Sequence, residues 1–493
     1  MIHSSEKIVK NTAIFVLAMV GQKIISFFYF FYLSSRFGPE KMGAWVWALS
    51  YSALFGVLSD LGLASILSRE AARHEDRAAR LLNATLFIKI PLLIFTIILG
   101  SILLYFSHRS HEVVLLVFIT FLVLTMDAFI VTFYAIPRAM QNLRYESLGV
   151  FIFQIIDLVC GVILWETTKS INWVIGSLAL AGFFNLVYSY LIIKKKFGIN
   201  LKLVYDKESI FHMLRVLPAF AVAGIFTKLY NSADSVLLGY LSTEANVGLY
   251  SIPAKVTTAL QSLIPGVFVA SIYPSMSNFY YHARERLNSL FEKSFIYMFL
   301  ISLPMGVGLA LLADKIILHI WPEYQAVITS FIIMAAALPF VFLAYPTGNL
   351  LNASDRQKIT TINRIIITSI NIILNIILIP SFGVLGSAIA FAVTNVVVLA
   401  LDLIFVPRVI QFSGWPLFFI MLKISVSAAI MGLVIKLLAN SMNYLLLILL
   451  AVIVYCVLII ILRVIRKDDL NFILRVLKSK KVEPQPESDK ILN

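Results

Sequence analysis

Apolar runs of roughly 20 residues recur along the chain from Asn11 to Arg463, separated by short polar loops. That length lets a helix cross a hydrocarbon core. The runs are too long and too continuous for barrel strands, which alternate apolar and polar positions over about ten residues. In the first half they cover residues 10–33, 42–66, 84–106, 113–136, 147–166 and 171–193. In the second they cover 214–240, 247–273, 293–312, 326–349, 360–379, 384–406, 415–438 and 443–463. The pattern predicts an all-α integral membrane protein of about 14 transmembrane helices, with both termini on one side. The run after Lys10 is long, contains Lys23 and lacks a small-x-small cleavage site, so it reads as the first span and not as a signal peptide.

Composition agrees: 60% of residues are hydrophobic and 13% charged, where a soluble chain carries about 25% charged residues. The basic residues are not evenly spread. Lys7, Lys10, Arg69, Arg73, Arg77, Arg80, Arg138, Arg144 and Lys194–Lys196 fall on one side of the predicted membrane, whereas the alternate loops "SHRSHE", "ETTKS" and "STEAN" hold few. Lysine and arginine are retained in the cytoplasm during insertion, so both termini are expected there. The net charge of +14 is then topological bias and attraction to anionic lipid. Nucleic acid is excluded as a partner, since no soluble basic domain is present. Cys160 and Cys456 lie inside predicted spans, and His108 and His111 have no acidic or thiol cluster beside them; neither a disulfide framework, a metal nor a cofactor is expected. A membrane glycosyltransferase would need carboxylate or arginine chemistry in a sizeable loop, and no loop here offers it, so the chain reads as no enzyme.

The two halves can be compared directly. When "GQKIISFFYFFYLSSRFGPEKMGAW" (from Gly21) is set over "FTKLYNSADSVLLGYLSTEANVGLY" (from Phe226), Lys23 precedes Gly43 by the interval that separates Lys228 from Gly248. "IPRAMQNLRYES" ends the fourth span and "PTGNLLNASDRQK" the tenth, six spans later. Both matches predict parallel six-helix bundles, a form of internal symmetry common in transporters. The expected division is a bundle over 1–193, a cytoplasmic linker over 194–213, a second bundle over 214–406 and an extra helix pair over 407–463. Residues 464–493 then form a cytoplasmic segment in which Leu470, Ile473, Leu474 and Leu477 recur at amphipathic spacing, followed by a disordered tail.

Three stretches carry a family resemblance: "FGPEKMGAWVWALSYSALFGVLSDLGLASILSREAAR", "NVGLYSIPAKV", and "LLNASDRQK" with the "NIILNIILIPSFGVLGSAIAFAVTNVV" that follows it. They resemble the polysaccharide transporter family of the multidrug/oligosaccharidyl-lipid/polysaccharide exporter superfamily, and within it Wzx-type O-antigen flippases, over about residues 8–465. The resemblance implies two pseudo-symmetric bundles around a V-shaped central cavity. It also implies alternating access that moves undecaprenyl-pyrophosphate-linked oligosaccharide from the cytoplasmic to the periplasmic leaflet of a bacterial inner membrane, with a polysaccharide polymerase or chain-length protein as a further partner. The alternative in the same superfamily is a cation-coupled multidrug exporter, whose cationic cargo would favour an acidic cavity; the mid-membrane lysines argue against it.

A charged side chain at mid-membrane costs about 2.5–3.5 kcal/mol even on lenient scales, so it faces a partner or water. Lys23 and Lys228 occupy equivalent positions in the repeat and are expected to line the cavity as an anion site. Gly224, Lys228, Asn231 and Ser235 form one polar stripe at helical spacing. Lys255 and Arg364 are further anion candidates, and Tyr29 and Tyr230 flank the lysines as stacking surfaces for sugar or prenyl groups. The alternative for Lys228 is a pair with Asp234, although six residues is a poor helical spacing for contact. The stripe Thr360, Arg364, Thr368, Asn371 and Asn375 fits either a cavity wall or interhelical hydrogen bonding. Lys89 and Lys423, near span ends, are expected to snorkel, and Asp60 to be structural. Asp127, Asp157 and Asp234 are the candidates for coupling to a proton or sodium ion.

Overall fold

The computed structural model describes residues 2–201, 205–411 and 414–464, with residues 2–17 by backbone only; the amphipathic segment expected beyond 464 lies outside the described residues. Every regular element among the described residues is a helix. The first half comprises α1 (Ile2–Asp60), α2 (Leu63–Arg73), α3 (Ala78–Tyr105), α4 (His111–Ala139), α5 (Arg144–Thr168) and α6 (Ile171–Lys196). Next come α7 (Lys207–Leu241), α8 (Glu244–Leu263), α9 (Pro265–His282), α10 (Arg284–Leu311) and α11 (Ala313–Ile320). The chain ends with α12 (Ile328–Ala336), α13 (Leu338–Ala353), α14 (Gln357–Phe382), α15 (Val384–Phe405), α16 (Gly414–Leu438) and α17 (Tyr444–Ile461).

Among the described residues, 12 segments are long and apolar enough to cross a membrane, or 13 when the bent α7 is one span. One segment, Ala18–Asp60, is 43 residues long and is broken within: Gly38 adopts φ 70° before Pro39, a left-handed conformation that glycine tolerates. Two helices meet at that kink, and counting them separately accounts for the fourteenth expected span. α7 bends by 52° between its Lys207–Pro218 and Phe220–Leu241 parts, because Pro218 removes a backbone donor and its ring crowds the preceding turn.

The apolar core differs between the two membrane faces. The turns at Arg73–Arg80, Arg138–Arg144 and Lys194–Lys196 mark one as the basic face. Toward the opposite face a single cluster joins both halves of the chain, with Phe37, Trp47 and Trp165 packed together with Leu238, Trp321 and Tyr324. Toward the basic face the core divides. Leu67, Leu82, Ile136 and Met213 form one cluster, and Phe291, Phe342, Leu350 and Val406 another. The helices are therefore sealed together at one face and parted at the other. α16 packs on α10 and α17 beside the second cluster.

Close backbone approach makes the seal. A Cβ built on Gly43 would lie 1.7 Å from the Glu244 carbonyl oxygen and 2.9 Å from the Gly248 nitrogen; one built on Gly248 would lie 1.8 Å from the Pro39 oxygen and 2.9 Å from the Gly43 nitrogen. Glycines thus let α1 and α8 touch backbone to backbone, as small residues do in membrane helix pairs. The contact is reciprocal, and its two glycines are the ones that the sequence repeat sets in register. Around it, Arg109 donates to the Gly239 carbonyl oxygen and to Glu244 (3.4 Å), and its guanidinium lies 4.5 Å from the Trp47 ring centre. The Trp47 indole donates to the Val236 carbonyl (3.3 Å), and that of Trp321 to Ser34 Oγ (2.7 Å).

Candidate functional site

The parted helices enclose two cavities, one on each side of α7, with Thr227 in the lining of both. The first, about 800 Å³, lies among α1, α3, α4 and α7, and its polar lining includes Gln22, Asp60, Lys89, Asp127 and Lys228. Lys228 and Asp127 are both exposed to this space. Neither has an ion-pair partner within 4.0 Å among the described residues. The second cavity, about 460 Å³, lies between α7, α13, α14 and α15, with Tyr230, Asn231, Asn349, Arg364 and Asp402 in its wall. The Arg364 guanidinium stands 5.2 Å from the Tyr230 ring centre and is otherwise open to the cavity. Both volumes fall in the range of about 300–1,000 Å³ typical of small-molecule sites. A third space of about 650 Å³, between α8, α10, α16 and α17, is walled by apolar side chains such as Leu300, Pro304, Met431 and Tyr455.

The polar stripe of α7 is split between the first two cavities. Gly224 and Lys228 face the first and Asn231 the second, while Ser235 lies outside both linings. The stripe of α14 divides along its length. Thr360 and Arg364 line the second cavity. Beyond them Thr368 donates to the Arg364 carbonyl (2.7 Å), and buried Asn375 donates to Asp234 (2.8 Å), joining α14 to α7. One half of that stripe thus lines the cavity and the other bonds within α14 and to α7.

Several residues sit elsewhere than their sequence positions led one to expect. Lys23 does not share a cavity lining with Lys228; it is exposed on α1, close enough to Lys255 of α8 to repel it. Lys255 itself donates to Ser26 Oγ of α1 (3.3 Å), with its ammonium 5.1 Å from the Phe30 ring centre. The basic candidates thus fall in three places, Lys23 with Lys255 at the α1–α8 seam, Lys228 in the first cavity and Arg364 in the second. Tyr29 is 4% exposed, packed against Gly161 in the closed seam between α1 and α5 and away from both cavities. Asp234 is not paired with Lys228: it accepts from Tyr250 (2.7 Å) and Asn375. Asp157 is buried and accepts from Ser177 Oγ (2.8 Å). Of the three coupling candidates, only Asp127 opens to a cavity described here.

Lys89 does not snorkel. It is 0% exposed, and its ammonium donates to Asp60 (2.5 Å), to Thr132 Oγ1 (2.6 Å) and to the Ala128 carbonyl (2.9 Å). A buried amine needs all three partners to offset its desolvation. This anchor ties α1, α3 and α4 together beneath Asp127, and the wide separation of its members in sequence hid it. Beside Asn231, the second cavity holds Asn349, Asn352, Asn363 and Asn395, which the sequence reading missed although Asn349 and Asn352 sit three apart, on one face of a helix, in "PTGNLLNASDRQK".

The family described as "Polysaccharide biosynthesis protein" matches residues 8–280, and the chain belongs to it. An uncharacterized membrane protein of Methanocaldococcus jannaschii is 25% identical over 281 residues, 54% of each chain. The "Probable low-salt glycan biosynthesis flippase Agl15" of Haloferax volcanii is 25% identical over 38% of this chain and 40% of its own. The "Probable flippase AglR" of the same organism is 28% identical over 33% and 34%. The chain therefore spans about half the length, or less, of these relatives. The fold is similar to that of the "Lipid II flippase MurJ, inward closed conformation", with a TM-score of 0.75 at 18% identity over 91% of this chain and 98% of that one. It is also similar to an inward-facing multidrug resistance MATE family transporter, with a TM-score of 0.62 at 14% identity over 79% and 97%.

Proposed function

We propose that this member of the polysaccharide biosynthesis protein family is a flippase, which moves a polyprenyl-diphosphate-linked oligosaccharide across a bacterial inner membrane by alternating access. The observation that carries the reading is the placing of unpaired cations, Lys228 and Arg364, in cavities on either side of α7 while the opposite face is sealed. An ammonium in a site of low dielectric attracts phosphate oxygens far more strongly than it would in water. An anionic cargo thus supplies what the protein withholds from these side chains. Two relatives are described as probable flippases, one of them of glycan biosynthesis, which supports the reading. A cation-coupled drug exporter shares the fold, but cationic drugs would be repelled by Lys228 and Arg364.

In this reading Lys23 and Lys255 meet the diphosphate at the α1–α8 seam, and the apolar space beside α16 and α17 takes the prenyl chain. The six-helix halves 1–193 and 214–406 rock against each other about α7, with 407–463 as the added pair. The basic face is cytoplasmic and carries both termini. A reporter active only outside the cytoplasm, fused at Thr243 or at Lys196, should give signal at Thr243 alone; the reverse pattern refutes the orientation. The membrane potential assists outward movement of the diphosphate by about 2.3 kcal/mol per charge per 100 mV. A counter-moving proton or sodium ion at Asp127 adds to this. Flipping that persists unchanged after both ion gradients are collapsed removes that part. A polysaccharide polymerase or chain-length protein receives the product.

The central test is Lys228→Gln, which keeps most of the length and removes the charge. In a flippase-deficient strain, at matched membrane levels, it should flip poorly, accumulate lipid-linked glycan and regain part of its activity as Lys228→Arg. Full activity of a Lys23→Gln, Lys228→Gln double variant would end the anion-site assignment.

A further inference from the structure

We infer that the cavity between α7 and α14 is a carbohydrate subsite, which holds the uncharged sugars of the cargo while the diphosphate sits with the lysines. This rests on the flippase reading above and goes beyond it by dividing the cargo between separate spaces.

Carboxamides are the largest single group in the wall, from Asn231, Gln261, Asn349, Asn352, Asn363 and Asn395. A carboxamide offers donors and an acceptor together. A sugar hydroxyl does the same, so the two match in a way that phosphate, an acceptor, and an ammonium, a donor, do not. Three of these six amides are held at one end, and Asn395 at both, donating to the Phe391 carbonyl (2.8 Å) and accepting from Tyr230 (3.4 Å). Asn349 donates to the Tyr345 carbonyl (2.7 Å) and Asn363 to Asp402 (2.8 Å), while Asn352 accepts from Thr360 Oγ1 (2.7 Å). The free ends of half-buried Asn349 and Asn352 make no bond among the described residues and remain open to a ligand, whereas Asn363 is buried and serves to fix Asp402. The side chains of Asn231 and Gln261 have no hydrogen-bond partner among the described residues. Fixed orientation lowers the ordering cost of binding.

Two further features favour a sugar. Tyr230 and Tyr345 both line the cavity, and an aromatic face is a stacking surface for the C–H face of a pyranose. Of the two charged groups, Asp402 is 4% exposed and occupied by Asn363 and Thr347, whereas Arg364 is open and offers guanidinium donors to hydroxyl oxygens. The other cavity has the opposite character, with its open Lys228 and Asp127 set among largely apolar side chains. Thr227, common to both linings, marks where a molecule could pass from one space to the other.

The test compares two probes on purified protein. One is the lipid-linked glycan extracted from cells that lack this chain; the other is the bare polyprenyl diphosphate of the same length. Asn231→Leu with Gln261→Leu alters amides that make no side-chain bond among the described residues, and its thermal midpoint should match the parent. It should lose about tenfold or more in affinity for the glycan-bearing lipid and bind the bare diphosphate as before. Lys228→Gln should weaken both. Asn231→Ala serves if the double variant is not recovered. Equal loss for both probes, or no loss for either, overturns the subsite. Parent protein that binds the glycan-bearing lipid no tighter than the bare one also overturns it and leaves the flippase reading standing, whereas parent protein that binds neither removes both.

Discussion

Replacing Gly43 by alanine should open the seal between α1 and α8. The added Cβ would lie 1.7 Å from the Glu244 carbonyl oxygen, a backbone atom with no rotamer to escape into. Ordinary contact begins at 3.4 Å, so the α8 backbone must retreat by about 1.7 Å, and a gap of even 0.5–1 Å forfeits roughly a quarter to a half of each facing dispersion contact. Overpacking of a fitted contact costs about 1–3 kcal/mol. A backbone obstacle belongs at the upper end, and about 3 kcal/mol is roughly a hundredfold in the ratio of two states. The contact exists only while this face is sealed, so the cost falls on the sealed state and the open one gains population. Spin labels at Thr167→Cys and Thr243→Cys, both exposed at this face, would report it in a background without Cys160 and Cys456. Gly43→Ala and Gly248→Ala should each shift the distance distribution outward and slow flipping. Gly176→Ala, where nothing lies within 4 Å of the new atom, should do neither. An unchanged distribution with full transport in the Gly43→Ala, Gly248→Ala double variant would refute the reasoning.

Two predictions concern stability. Lys89→Met leaves Asp60 without its amine and should cost about 3–5 kcal/mol, seen as a lower thermal midpoint in detergent, with Asp60→Leu added to it recovering most of the loss; wild-type stability of Lys89→Met alone would contradict the anchor. Glu70 lies in the basic-face segment between spans, where burial works against its ionisation but hydrogen bonds from His212 and Arg69, with the Arg69 charge, outweigh it and lower its pKa. Because the folded pKa is the lower one, the carboxylate stabilises fully above the unfolded value of about 4.3, and the contribution is lost as pH falls through the folded pKa. The gap in thermal midpoint between the parent and Glu70→Gln should therefore be widest near neutrality and close below about pH 4; a gap that widens on acidification would refute it.

The sequence by itself determined the class and the raw pattern of this protein. Twenty-residue apolar runs leave a helix as the economical way to satisfy backbone groups in lipid, and their positions match the helices. The register between Lys23–Gly43 and Lys228–Gly248 was legible too, because a repeat preserves spacing even where identity fades. Only the tertiary structure decided what each polar face meets. Leucine and isoleucine are equally content against lipid and against another helix, so hydrophobic periodicity hardly encodes the rotation of a spanning helix about its axis. The α7 stripe therefore announced a polar environment without showing that it divides into two cavities. Tyr29 and Asp157 looked as available as Tyr230 and Asp127, yet the first two are packed into the seam and the second two face open space. Lys89 sat near a span end, where snorkelling is the ordinary outcome, and its partners are 29 to 43 residues away. The reciprocal Gly43–Gly248 contact is the clearest case. Spacing put the two glycines in register, but only the packing of α1 on α8 set each against the backbone of the other, since that approach depends on how two distant segments meet.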